Sequence, residues 1–162
     1  MNKKVIFDLD GTLALIDKRR AIAGITPGAP EASNPQMNWK AFLDPKNIHL
    51  DEPNVPVIKM AQMLKSQGFD IIIFSGRSKA TKDATRVWLD KHDIPFDLLK
   101  MRPTDKHWHF MKDSDLKEFW LDDIFPGLEI NDIFAVFDDR QQVVDMWRSR
   151  GLTCFQVADG NF

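Results

Sequence analysis

The sequence predicts an α/β fold: a central parallel sheet with helices on both faces and a small cap or flap insertion. Two observations carry this. Short apolar runs rich in branched and aromatic residues alternate with segments of helical spacing, and several of those runs give way at once to acidic or small polar residues. A strand that is apolar throughout is covered on both faces, as strands of a parallel sheet are.

In chain order the strands are expected at residues 5–7, 71–74, 133–137 and 153–157, with 98–101 a weaker fifth. Between them Val57, Met60, Ala61 and Leu64 recur at helical spacing before Gly68, and Val143, Val144 and Trp147 repeat the pattern before Gly151. Residues 22–56 differ, because Gly24, Pro27, Gly28, Pro30, Pro35, Pro45, Pro53 and Pro56 break them up and only 39–43 has a helical pattern. That segment reads as an excursion over the site, a cap or flap inside one domain spanning 1–162.

At 162 residues, 43% hydrophobic and 28% charged, the chain is large enough for one real core. A net charge of −2 excludes a whole-molecule positive field, so any affinity for nucleic acid must come from a local patch. The lone Cys154, set in an apolar run, is expected to be buried and reduced. Acids interrupt the first apolar stretch too early for a signal peptide, and nothing reaches membrane-spanning length. The expectation is a soluble cytoplasmic protein with no membrane partner.

Four groups of reactive residues stand at or near strand ends. The first strand runs into Asp8-Leu9-Asp10-Gly11-Thr12, where a period of two puts Asp8 and Asp10 on one side; the competing reading is a hairpin turn at Asp-Gly. Ser75-Gly76-Arg77 follows the next strand and offers a hydroxyl, an approachable amide and a guanidinium to phosphate oxygens, or else simply starts a helix. Asp113 and Lys117 are four apart and share a helix face, although such pairs are far more often solvated. Asp138-Asp139 ends a strand and suits a hard cation, whereas helix capping would need only one acid. In a parallel sheet the carboxyl ends of the strands open on one crevice, so the conjunction outweighs each separate alternative.

In this order, DLDGT, a serine after an apolar strand, a helix-borne lysine and an acidic pair resemble the four motifs of the haloacid dehalogenase (HAD) superfamily, across nearly the whole chain. SGR, KDSDLK and the closing FDDRQQVVDMWRSRGLTCFQVADGNF narrow the resemblance to the 3′-phosphatase domain of phage polynucleotide kinase/phosphatase. It implies a Rossmann-like fold and a phosphatase in which Asp8 is the nucleophile, Asp10 the general acid and base, Ser75 a phosphate ligand and Lys117 the charge-neutralising lysine. Asp138 and Asp139 would complete an Mg²⁺ site with Asp8 and Asp10, and Arg19, Gly76, Arg77 and Asp113 match further substrate-side positions. An acid at the second position of DLD favours a phosphatase over an ATPase.

The substrate expected from this resemblance is a 3′-phosphorylated polynucleotide end, handled in the host cytoplasm if the chain is phage-encoded. The chain has no Gly-x-x-x-x-Gly-Lys-Ser/Thr loop, so a kinase or ligase would be a separate partner. A free nucleotide is the rival substrate, and a non-catalytic accessory module is the rival role. Arg20, Arg102, Lys106 and Lys112 offer further cations for a strand. Trp39 and Trp108, with polar neighbours, are candidates to stack on a base, while Trp88, Trp120 and Trp147 are expected in the core.

Overall fold

The computed structural model describes residues 3–25, 37–127 and 132–160. Residues 26–36 of the proline-rich excursion lie outside the described residues.

The chain runs β1 (Lys4–Phe7), β2 (Ala14–Leu15), α1 (Asp17–Ile22), α2 (Trp39–Phe42), a 3-10 turn (Pro45–Leu50), β3 (Glu52–Pro53) and α3 (Val55–Ser66). It continues through β4 (Asp70–Ser78), a 3-10 turn (Lys79–Thr81), α4 (Lys82–Lys91), β5 (Leu98–Arg102), α5 (Lys106–His109), α6 (Asp113–Ile124), β6 (Ile133–Arg140), α7 (Gln141–Ser149) and β7 (Cys154–Gly160). Five of these strands form one sheet in the order β5-β4-β1-β6-β7, and every neighbouring pair is parallel. Short antiparallel β2 and β3 make a separate ribbon.

Strand alternation sorts the core into two layers. Val5 and Phe7 of β1 and Ile71 and Ile73 of β4 meet Ile58 and Ala61 of α3 and Trp88 and Leu89 of α4. Ile6, Ile72 and Phe74 point the other way, to Leu116 and Trp120 of α6 and Val143, Val144 and Trp147 of α7. Trp88, Trp120, Trp147 and Cys154 are buried, as expected. On α3 the buried face is set by Ile58 and Ala61, and Met60, expected to face inward, is exposed.

All five expected strands form, but β4, β6 and β7 run further than their apolar cores. Pairing of β4 with β5 reaches Ser78 and that of β6 with β7 reaches Arg140, each across a register shift. Backbone pairing continues where side chains turn polar, so apolar content alone ends these strands too soon. The Asp-Gly step does turn the chain, but into the ribbon: Gly11 takes φ +90° and its N–H donates to the Ala14 carbonyl at 2.8 Å. Among the described residues no helix is long and apolar enough to cross a membrane.

Candidate active site

The sheet order reverses at β1, which lies between β4 and β6, and a crevice opens at the carboxyl ends of strands at such a point. Asp8 follows β1 directly, Ser75–Arg77 lie on β4, and Asp138 and Asp139 lie on β6. Lys117, one turn into α6, is buried rather than solvated. Three of the four expected groups thus meet on adjacent strands, and the fourth reaches over them.

Lys117 Nζ donates to Asp8 Oδ1 at 2.6 Å and to Asp138 Oδ2 at 2.7 Å. Trp147 Nε1 also donates to Asp138 Oδ2, at 3.2 Å. Thr12 Oγ1 donates to Asp139 Oδ1 at 3.3 Å, while Asp139 Oδ2, buried, has no hydrogen-bond partner among the described residues. Asp8, Asp138 and Asp139 offer oxygens that all lie within 4.8 Å of one another. Three carboxylates face one ammonium, which leaves two negative charges unmatched when all are ionised. Burial and the neighbouring Lys117 act in opposite directions on Asp8, and with Asp138 and Asp139 adding repulsion its carboxyl is held well above the usual range. Burial, with repulsion from Asp138, pushes Asp139 up to about 7. Lys117 is the converse case: burial opposes its charge, but Asp138 and Asp8 outweigh that and keep the ammonium firmly protonated.

An all-oxygen donor set, a charge deficit of two and an orphaned carboxylate oxygen fit a hard divalent cation such as Mg²⁺. Gly11 keeps the place clear, since a Cβ there would fall 2.1 Å from Asp139 Oδ2.

The Asp10 side chain turns elsewhere. Its Oδ1 accepts from Arg19 Nη2 at 2.6 Å and from Arg77 Nε at 2.8 Å. The same two guanidinium groups grip Asp51, Arg19 Nε at 2.9 Å and Arg77 Nη2 at 2.5 Å. Two acids and two arginines close a neutral ring. Burial raises the pKa of Asp10, but the two arginines outweigh it and hold the carboxyl down to about 2. Burial likewise raises Asp51, with Arg77 opposing.

Asp51 is a site residue that the sequence did not disclose. It follows the 3-10 turn that Asp44 caps and Pro45 begins, where Ile48 anchors in the core, and its carbonyl accepts from Trp88 Nε1 at 2.9 Å. No periodicity or motif marks it. Arg19, on α1, is packed over the Phe42 ring at 4.3 Å and is fully buried.

Ser75 is buried, and its Oγ accepts from the Arg77 N–H at 3.2 Å. Gly76 abuts Asp113: a Cβ on it would lie 2.7 Å from Asp113 Oδ1. Asp113 in turn accepts from Arg102 Nη2 at 2.5 Å and from Arg140 Nη1 at 2.7 Å. Among the cations considered for strand binding, Lys106 and Lys112 are exposed, whereas Arg102 is committed to this rim.

Comparison with known proteins agrees with this geometry. The family described as the polynucleotide kinase PNKP phosphatase domain matches residues 32–162. A protein of Autographa californica nuclear polyhedrosis virus, named as a bifunctional polynucleotide kinase/RNA ligase, is 34% identical over 159 residues, which is 96% of this chain and 19% of that protein. A chain in the solved Pnkp1/Rnl/Hen1 RNA repair complex superposes with a TM-score of 0.76 at 34% identity, covering 99% of this chain and 44% of that one. A haloacid dehalogenase-like hydrolase from Streptococcus pneumoniae shares the fold alone, at TM-score 0.65 and 16% identity over 96% of this chain and 84% of that one. This chain therefore spans about a fifth of the viral relative and less than half of the chain in the repair complex. With the match running over most of its length and the fold and crevice in agreement, the chain belongs to the PNKP phosphatase-domain family of the HAD superfamily and is a phosphatase.

Proposed function

We propose that this chain is a Mg²⁺-dependent phosphomonoesterase with Asp8 as nucleophile, and that it removes 3′-phosphates from polynucleotide ends. The observation that carries the reading is the buried group of Asp8, Asp138 and Asp139 around Lys117, with Asp139 Oδ2 left without a partner.

With Oδ1 engaged by Lys117, Asp8 attacks the phosphorus through its other oxygen while the ester P–O bond breaks. Asp10, which takes up a proton from solvent as the phosphate binds beside it, passes that proton to the departing oxygen, and the phosphoryl group is left on Asp8. A water then gives its proton to Asp10 and bonds to phosphorus, the Asp8–phosphorus bond breaks, and inorganic phosphate leaves. Asp8 is free again, and Asp10 releases its proton to solvent as the phosphate departs, restoring the ionised resting state. Asp8, Asp138 and Asp139 would hold Mg²⁺, which would supply charge neutralisation for the phosphoryl group.

Arg19 and Arg77 orient Asp10, which they keep ionised in the resting site. A phosphate dianion beside Asp10 opposes the arginines and raises its proton affinity, the direction that general-acid work requires. Ser75 and the Gly76 amide are assigned to phosphate oxygens, and Asp113 to fixing the rim through Arg102.

The named activities of the relatives concern RNA repair and ligation, so RNA 3′ ends head the list of substrates and a kinase or ligase chain heads the list of partners. We place the work in the cytoplasm, with residues 1–162 as one catalytic domain and 22–56 as its cap.

The test is phosphate release with Mg²⁺ from a 3′-phosphorylated oligonucleotide, its 5′-phosphorylated counterpart, and 3′- and 5′-mononucleotides. The 3′-phosphorylated oligonucleotide is expected to be preferred, and preference for a mononucleotide would overturn the substrate assignment. Asp8→Asn is expected to reduce turnover to background with an unchanged circular dichroism spectrum. Activity in that variant would sink the mechanism.

A further inference from the structure

The most exposed large apolar side chain among the described residues is Phe110, at 94%. It follows α5 directly. Its neighbours Lys106, His107, His109 and Lys112 are exposed as well.

Phe110 belongs to a fastened segment. Arg102 Nη1 donates to the carbonyls of Trp108, at 2.5 Å, and Met111, at 2.8 Å, on either side of it. The same guanidinium donates to the Gly76 carbonyl at 3.1 Å and to Asp113. One arginine thus ties this segment to the phosphate-side strand β4 and to the first residue of α6, whose Lys117 holds Asp8. From below, Trp108 packs against the Phe119 ring at 5.1 Å and joins the core layer of α6 and α7. Trp108, one of the two aromatics the sequence offered for base stacking, therefore supports the segment. Phe110 is the ring left facing solvent.

Chain geometry limits the distance to the site. Three residues reach at most about 11 Å from Phe110 to Asp113, and one helical turn adds about 6 Å to Lys117. A few nucleotides can bridge that.

We propose that Phe110 is a stacking platform for a base of the substrate strand, with Lys106, His109 and Lys112 attracting its phosphates. A sequence-tolerant single-strand site needs an aromatic face beside cations, which is what this segment presents. The same ring would find no use in binding a free phosphate or a small phosphomonoester. The proposal rests on the polynucleotide reading of the site and says where the strand leaves it.

The experiment compares wild type, Phe110→Ala and Phe110→Trp in steady-state phosphate release from a 3′-phosphorylated single-stranded oligonucleotide and from a 3′-mononucleotide. Phe110→Ala is expected to raise KM for the oligonucleotide about tenfold, within the range that loss of one stacked base produces. Its kcat, and both parameters for the mononucleotide, stay within about twofold, and Phe110→Trp keeps the wild-type KM. Unchanged oligonucleotide KM in Phe110→Ala, with wild type still preferring the oligonucleotide, overturns the platform alone. The same unchanged KM with weakened capture of a separate kinase or ligase chain also overturns it, and makes Phe110 a protein contact. A wild-type enzyme that prefers the mononucleotide overturns the polynucleotide reading, and the platform with it.

Discussion

Asp51 lies between two buried guanidinium groups that, among the described residues, share one other carboxylate, that of Asp10. Taking it away leaves two buried guanidinium groups sharing Asp10. Asp51→Ala is therefore predicted to cost about 3–5 kcal/mol, measured by urea denaturation, and to lower turnover because Asp10 loses its orientation. Asp51→Asn keeps an acceptor and is expected to cost less. Equal stability of the alanine variant and wild type would mean that the ring closes without it.

Titration at the site has a definite sign. Asp10 lies below its ordinary value, at about 2, so it favours the folded state above about pH 4 and loses that contribution as pH falls through 2. The shift corresponds to roughly 2 kcal/mol. Asp139 is displaced the other way, to about 7, so the folded metal-free protein binds a proton that the unfolded chain has released and loses stability as pH rises from about 4 to 7. In the proposed metal site Mg²⁺ would take the place of that proton. The rise in Tm on adding Mg²⁺ is predicted to be larger at pH 8 than at pH 6, and an equal or smaller rise at pH 8 would contradict a metal at Asp139.

At the scale of elements, α6 and α7 connect core to chemistry. The face of α7 that buries Val143, Val144 and Trp147 was legible from its spacing, since helical periodicity is local. That Trp147 also donates to Asp138 was not, because it depends on how α7 settles against β6. Trp147→Phe retains most of the packing and removes the donor; it is predicted to cost about 1.5–3 kcal/mol, read by denaturation, and to weaken Mg²⁺ activation. The Asp113–Lys117 pair carries a related lesson. Its spacing is that of a surface ion pair, and burial of Lys117 against Asp8 and Asp138 turned it into part of the site.

For the whole molecule, a net charge of −2 means that the proposed strand binding would have to depend on local cations. KM for an oligonucleotide substrate is predicted to rise steeply with salt as released counterions are restored, while KM for a mononucleotide changes little. Equal sensitivity would mean that no cation away from the crevice contributes.

The five sheet strands, helices α3 and α7 and the polar groups at the strand ends follow from apolar runs, periodicity and turn residues, all properties of short stretches of chain. So did the convergence of Asp8, Ser75 and Asp138–Asp139 on one crevice, because parallel strands present their carboxyl ends together. Tertiary structure alone decided that Asp10 turns to Arg19 and Arg77, that Asp51 closes their ring, and that Trp108 faces inward while Phe110 faces out. Those outcomes depend on which distant segments meet across the ribbon, the 3-10 turn and the rim, and on buried charges finding partners among them, which no local pattern of residues encodes.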